Sequence, residues 1–78
     1  MSILATRMKE LRKTSGFSQE VAAKELNIAI PTYCRYEYGQ REPNATTIAA
    51  MARLYHVSAD YLLGITDDLS WRGPADEP

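Results

Sequence analysis

The chain carries one histidine, His56, and one cysteine, Cys34. A single cysteine closes no internal disulfide, and no Cys/His cluster has zinc-site spacing. His56 has no partner nucleophile, so it reads as a surface loop residue. No glycine-rich loop is present to cradle a phosphate, and 78 residues leave little volume for a deep pocket. These observations predict neither an enzyme nor a metal or cofactor site. A side chain such as Arg35, a planar fork of donors, suits recognition of a partner instead. It stands in GFSQEVAAKELNIAIPTYCRYE, residues 16–37.

That segment must position any such side chain. It reads as a short capped helix, a tight turn and a second short helix. Phe17, Ala22, Ala23, Leu26, Ile28, Tyr33 and Tyr36 are spaced to pack inward. Two helices this short cannot bury themselves, so helices on either side must hold the turn. The arrangement is a helix-turn-helix, whose second helix can lie in the major groove of DNA.

A chain of 78 residues makes one domain, burying only roughly 60% of its unfolded surface. Helix formers dominate, and no stretch alternates like a strand. No apolar run reaches membrane-spanning length, and the first residues lack the apolar core of a signal peptide. The expectation is an all-α cytoplasmic protein with no membrane association. The formal net charge is −1, but it is unevenly spread. Residues 1–64 hold eight Lys/Arg against six Asp/Glu, a net +2, while residues 65–78 set Arg72 against Asp67, Asp68, Asp76 and Glu77. The division predicts a slightly basic folded unit, 1–64, and an acidic, mobile tail, 65–78. A local basic patch fits this balance; strong global attraction to phosphate does not.

Five helices follow from periodicity and caps. The first spans about 3–14, with Ser2 as N-cap, a stripe of Leu4, Met8 and Leu11, and Gly16 supplying the left-handed end. The second spans 19–26, capped by Ser18, with Asn27 tolerating the left-handed turn. The third spans 30–38 and stops at Gly39. Pro31 sits in its first turn, where a missing N–H costs nothing. Its cap, Ala29, has no side-chain acceptor, which leaves an N–H for water or a phosphate. The fourth spans about 45–55, capped by Asn44, with Ile48, Met51, Ala52 and Tyr55 inward. The fifth spans 59–63, capped by Ser58 and ended by Gly64. Tyr33 and Tyr36 read as core residues with hydroxyls at the rim.

In this order and spacing, MKELR (8–12), GFSQE (16–20), YEYGQREP (36–43) and VSADYLLG (57–64) resemble the lambdoid phage repressor and Cro family, also called the xenobiotic-response-element family. The resemblance covers Leu4 to Gly64. It implies a five-helix bundle and sequence-specific operator binding as a dimer. Ala22 stands where the family commonly has Leu, Asn27 where it has Gly, and Ala29 where it has Ser or Thr. Ile30 and Pro31 replace the usual polar residues that open the third helix, and so touch the reading surface itself.

By the same resemblance, Ile30, Pro31, Cys34 and Arg35 face the groove, and Arg35 is the one strong base reader among them, its planar fork matching guanine O6 and N7. Ile30 and Pro31 offer only apolar contact, for example to a thymine methyl. Thr32 can do either, or bond a phosphate. Gln19 is expected to reach a backbone phosphate and to brace the third helix. Gln40, Arg41 and the backbone around Asn44 form the opposite phosphate clamp, with Tyr38 adding a hydroxyl; such contacts position a protein without reading sequence. The family places an arginine of helix one against a glutamate ending helix three, here Arg12 and Glu37. Cys34 reads as a small groove-facing residue, with oxidation there as an alternative role.

The leading expectation is therefore a transcriptional regulator, a repressor by family analogy. It would bind a palindromic double-stranded operator as a homodimer. Val57, Tyr61 and Leu62 are the expected seam. The alternative is a protein-interaction module, antitoxin- or anti-repressor-like, with weak DNA binding. The near-neutral charge and the apolar Ile30 and Pro31 favour it. Trp71 and the acidic tail are candidates for contact with a protein partner.

Overall fold

A computed structural model describes residues 2–70. The five helices run Ile3–Thr14 (α1), Gln19–Glu25 (α2), Ile30–Glu37 (α3), Ala45–Tyr55 (α4) and Ala59–Leu63 (α5), with no strand among the described residues. Four helices start at a side chain that accepts from a free N–H: Ser2 from Ala5, Ser18 from Val21, Asn44 from Thr47 and Ser58 from Tyr61. The fifth, α3, starts at Ala29, which makes no side-chain cap bond.

Helices α2 and α3 each end one residue before the expected boundary, with Leu26 and Tyr38 as C-caps. The physical reason is the next residue. Asn27 (φ 57°) and Gly39 (φ 74°) turn left-handed, so the helical hydrogen-bond ladder cannot continue past them. His56 plays the same part after α4, at φ 56°. It is exposed, as expected, but it is also a turn residue in a conformation that non-glycine residues seldom adopt. Gly64 is required twice over. Its φ is +84°, and a Cβ there would stand 2.8 Å from Cγ2 of Ile3.

The core gathers Leu4, Met8, Ala22, Ala23, Leu26, Tyr33, Tyr36, Met51, Ala52, Tyr55, Val57 and Leu62. Ala22 and Ala23 are fully buried, and their small side chains let α2 close on α3. Helix α1 packs across α3, α4 and α5 and joins the two ends of the bundle. Phe17 lies half-buried against Tyr55, ring centroids 6.3 Å apart.

Two expectations are corrected here. Val57 and Leu62, expected at a seam between copies, are 3% and 0% exposed inside the chain's own core. Helix α5 is short, but it turns its apolar side onto α1 and α4 instead of leaving it open. Tyr33 is also fully buried, and its hydroxyl lies 3.0 Å from that of Tyr55, not at the rim.

The segment after Gly64 starts tied down. Arg7 lays its guanidinium over the Tyr61 ring, 4.1 Å from the centroid. It donates to the carbonyls of Tyr61 and Thr66 and pairs with Asp67. Nothing local pairs positions 7 and 67, so the sequence carries no sign of this latch. Trp71 and the rest of the expected mobile tail lie outside the described residues. Among the described residues, no helix is long and apolar enough to cross a membrane.

Candidate nucleic-acid interface

Helix α3 has two faces with different work. Its inner face carries Tyr33, Tyr36 and Glu37, all buried. Its outer face carries Ile30, Pro31 and Arg35, exposed, with Thr32 and Cys34 half-buried beside them. The spacing explains the split: positions 33, 36 and 37 share one side of a 3.6-residue turn, and 31, 34 and 35 share another.

The inner face is fixed by a polar network centred on Glu37, whose side chain is fully buried. Arg12 of α1 donates from Nε to Glu37 Oε2 at 2.6 Å and from a terminal nitrogen to Oε1 at 3.3 Å. The same guanidinium donates to the Phe17 carbonyl at 2.8 Å, which ties down the loop before α2. Gln19, at the start of α2, donates from Nε2 to Glu37 Oε1 at 3.2 Å. The buried Tyr33 hydroxyl lies 3.0 Å from that of Tyr55 of α4. Either hydroxyl can donate to the other, since a phenol both donates and accepts. Helices α1 and α2 thus converge on one carboxylate of α3, and α4 meets the same inner face at Tyr33. No buried side-chain polar atom among the described residues lacks a partner.

Electrostatics follow from that arrangement. Burial alone would raise the Glu37 carboxyl. The hydrogen bonds from Arg12 and Gln19, with the charge of Arg12, outweigh burial and hold it below the usual carboxylate value. The bond to Glu37 raises Arg12, against its own partial burial. Burial pushes the Tyr33 and Tyr55 phenols up, so both stay protonated. The network therefore holds one negative and one positive charge, each matched inside the fold. Arg12 is consumed by this pairing and faces no outside ligand.

The outer face is differently furnished. The Arg35 side chain has no ion-pair partner among the described residues and stands exposed. Ile30 is 43% exposed at the first helical position, next to the uncapped Ala29. Gln40 and Arg41 stand exposed in the loop that follows α3, and Tyr38 is 59% exposed just before them. Asn44 is exposed, but its side-chain oxygen is taken by the cap bond to Thr47, at 2.9 Å. Its amide N–H groups remain as outward donors. Gln19 is half-buried with one amide N–H on Glu37, which leaves its second for an outside acceptor. Cys34 is a free, half-buried thiol. Among the described residues, no group of His, Cys, Asp and Glu could hold a metal ion.

Sequence reasoning missed the Tyr33–Tyr55 contact and the Arg7 latch, since no local spacing joins either pair.

Comparison with known proteins agrees with this geometry. Residues 8–62 match the helix-turn-helix family model. Over 73 residues the chain is 40% identical to the HTH-type transcriptional regulator ImmR of Bacillus subtilis (strain 168), covering 94% of this chain and 57% of that protein. Over 58 residues it is 41% identical to the HTH-type transcriptional regulator AnsR of the same organism, covering 74% of this chain and 50% of that protein. Over 60 residues it is 37% identical to the uncharacterized HTH-type transcriptional regulator YazB, also of B. subtilis, covering 77% of this chain and 87% of that protein. The chain spans about half the length of most of the curated relatives it matches.

Proposed function

The chain belongs to the helix-turn-helix family of xenobiotic-response-element type, and we propose that it is a sequence-specific double-stranded DNA-binding regulator of transcription. It acts as a repressor, on a palindromic operator, as a homodimer. The observation that supports this most is the division of α3. Its inner face is locked by Glu37 while its outer face presents Ile30, Pro31, Thr32, Cys34 and an unpaired Arg35. A helix held at a fixed rotation with a free arginine fork is what base reading requires. Gln19 on one side, and Tyr38, Gln40, Arg41 and Asn44 on the other, supply the phosphate contacts. The unit that binds is residues 1–64, and the acidic segment beyond it serves a protein partner.

Dimerisation follows from magnitude. One arginine reader and a net +2 over residues 1–64 give a single copy weak, poorly selective binding. Joining two copies makes the second half-site contact effectively intramolecular, which can raise affinity by ~10²–10⁴. Since Val57 and Leu62 serve the core, the seam moves to the exposed apolar residues around them. Leu63 is 45% exposed and Ile65 71%, with Ile3 packed against Gly64 between them. Tyr61 borders this surface, its ring under Arg7.

Selection of bound sites from random duplexes, followed by sedimentation, tests the proposal. The expected result is a two-fold symmetric site that takes two chains per duplex, with affinity falling as salt rises. Recovery of no preferred duplex, with no salt-dependent binding, would favour the protein-interaction module instead. The apolar Ile30 and Pro31 are the observation behind that second function.

A further inference from the structure

We infer that Ile30 and Pro31 read the C5-methyl group of pyrimidines in the major groove, so that the preferred half-site sets methyl-bearing bases beside the guanine taken by Arg35. The inference rests on the DNA-binding function proposed above and names what that surface selects. Ile30 occupies the first position of α3 and Pro31 follows it, both exposed. Neither side chain has a donor or an acceptor, and Pro31 lacks even a backbone N–H.

The fold does not need Ile30 to be apolar. It is exposed, it lies outside the core, and the adjacent cap position, Ala29, makes no side-chain bond. The locked inner face stops α3 from rolling to bury it, because Tyr33, Tyr36 and Glu37 are held from α1, α2 and α4.

An apolar surface pressed on a base edge strands the donors and acceptors it covers, unless that edge is itself apolar. In the major groove of ordinary DNA, the only apolar group is the thymine methyl. A 5-methylcytosine presents the same group beside an amino donor. Ile30 and Pro31 therefore favour a methyl-bearing pyrimidine at the steps they cover and disfavour unmethylated cytosine and the purines. Arg35, one turn along from Pro31, supplies the complementary polar contact.

The test starts from two random-duplex pools, one with ordinary cytosine and one with 5-methylcytosine. In the best selected duplex each thymine is then replaced singly by deoxyuridine, which keeps the pairing and O4 but removes the methyl. Binding of the wild-type protein and of Ile30→Ala is read by fluorescence anisotropy. The expected result is about a fourfold loss per critical methyl removed. In Ile30→Ala, the loss at the thymine under Ile30 disappears. Tight sites from the 5-methylcytosine pool alone would assign the methyl to that base and still support the inference. A well-bound selected duplex that is indifferent to deoxyuridine overturns it while leaving DNA binding intact. So does a loss that persists unchanged in Ile30→Ala, which belongs to DNA shape. Failure to select any duplex from either pool overturns the DNA-binding function itself.

Discussion

Removing the Glu37 carboxylate should cost more than any single surface contact in this chain can supply. Its side chain is fully buried and accepts from Arg12 and Gln19. In Glu37→Ala the Arg12 guanidinium, only 12% exposed, keeps the Phe17 carbonyl but loses its counter-charge. Stranding a buried charge in this way costs roughly 3–5 kcal/mol. A chain of 78 residues has a total of roughly 4–12 kcal/mol to lose, at ~0.05–0.15 kcal/mol per residue. The variant should therefore lose roughly a quarter or more of the chain's total stability. Replacing both partners, Arg12→Met with Glu37→Leu, removes the stranded charge and should recover most of the loss.

Acid sharpens the same prediction. The folded Glu37 carboxyl titrates below its unfolded value, so its contribution is complete above the ordinary carboxylate pKa. It is lost as pH falls through the lowered folded value. Urea unfolding followed by circular dichroism, at neutral pH and stepwise into acid, measures both effects. The reasoning fails if Glu37→Ala loses under ~1 kcal/mol. It fails equally if the double variant is as unstable as the sum of the two single ones.

Three further outcomes are expected. Ala29→Ser places a hydroxyl where the backbone is already extended (φ −67°, ψ 144°), and should raise the urea midpoint by the equivalent of ~0.5–2 kcal/mol. Leu62→Ala should cost ~2–5 kcal/mol even in dilute protein, because Leu62 fills the chain's own core; a loss seen only at concentrations where copies associate would return it to a seam. Arg41→Ala should weaken DNA binding about equally on all sequences and lower the salt slope by roughly 1, and a changed sequence preference at constant slope would contradict the phosphate role.

The helices were legible because each signal is local. Ser2, Ser18, Asn44 and Ser58 precede apolar periodicity, and Gly16, Asn27, Gly39 and Gly64 follow it. The left-handed His56 was not legible, since histidine carries no preference strong enough to announce it. The Arg12–Glu37 contact came from a family pattern; spacing alone does not join residues 25 apart. The seam on Val57 and Leu62 was misplaced for a general reason. A five-residue amphipathic helix has an apolar side, but its sequence does not say whether that side meets another copy or its own bundle. Here α1 supplies the cover, and what stays exposed is Leu63 and Ile65, outside the periodic stripe.

The same distinction separates what can vary in α3 from what cannot. Tyr33 and Glu37 are bonded to α1, α2 and α4, and Tyr36 is buried in the core beside them, so changes at these positions should disturb the seat of the helix. Ile30, Pro31 and Arg35 answer to no other described side chain through a hydrogen bond or ion pair, so changes there alter what the helix meets, not where it stands. Under the proposed function, sequence preference should therefore shift through these positions at little cost in stability. The Glu37 network gives that freedom its value: a reading surface selects one base edge over another only if its angle to the groove is fixed to within a fraction of a turn. Glu37→Gln tests the coupling directly. It keeps the volume but sets an amide N–H₂ where three donors now converge, so one contact must open. Its expected signature is broadened sequence preference in a protein that still folds. A variant that folds and keeps the wild-type preference would show that the packing of Tyr33 and Tyr36 suffices to aim the helix.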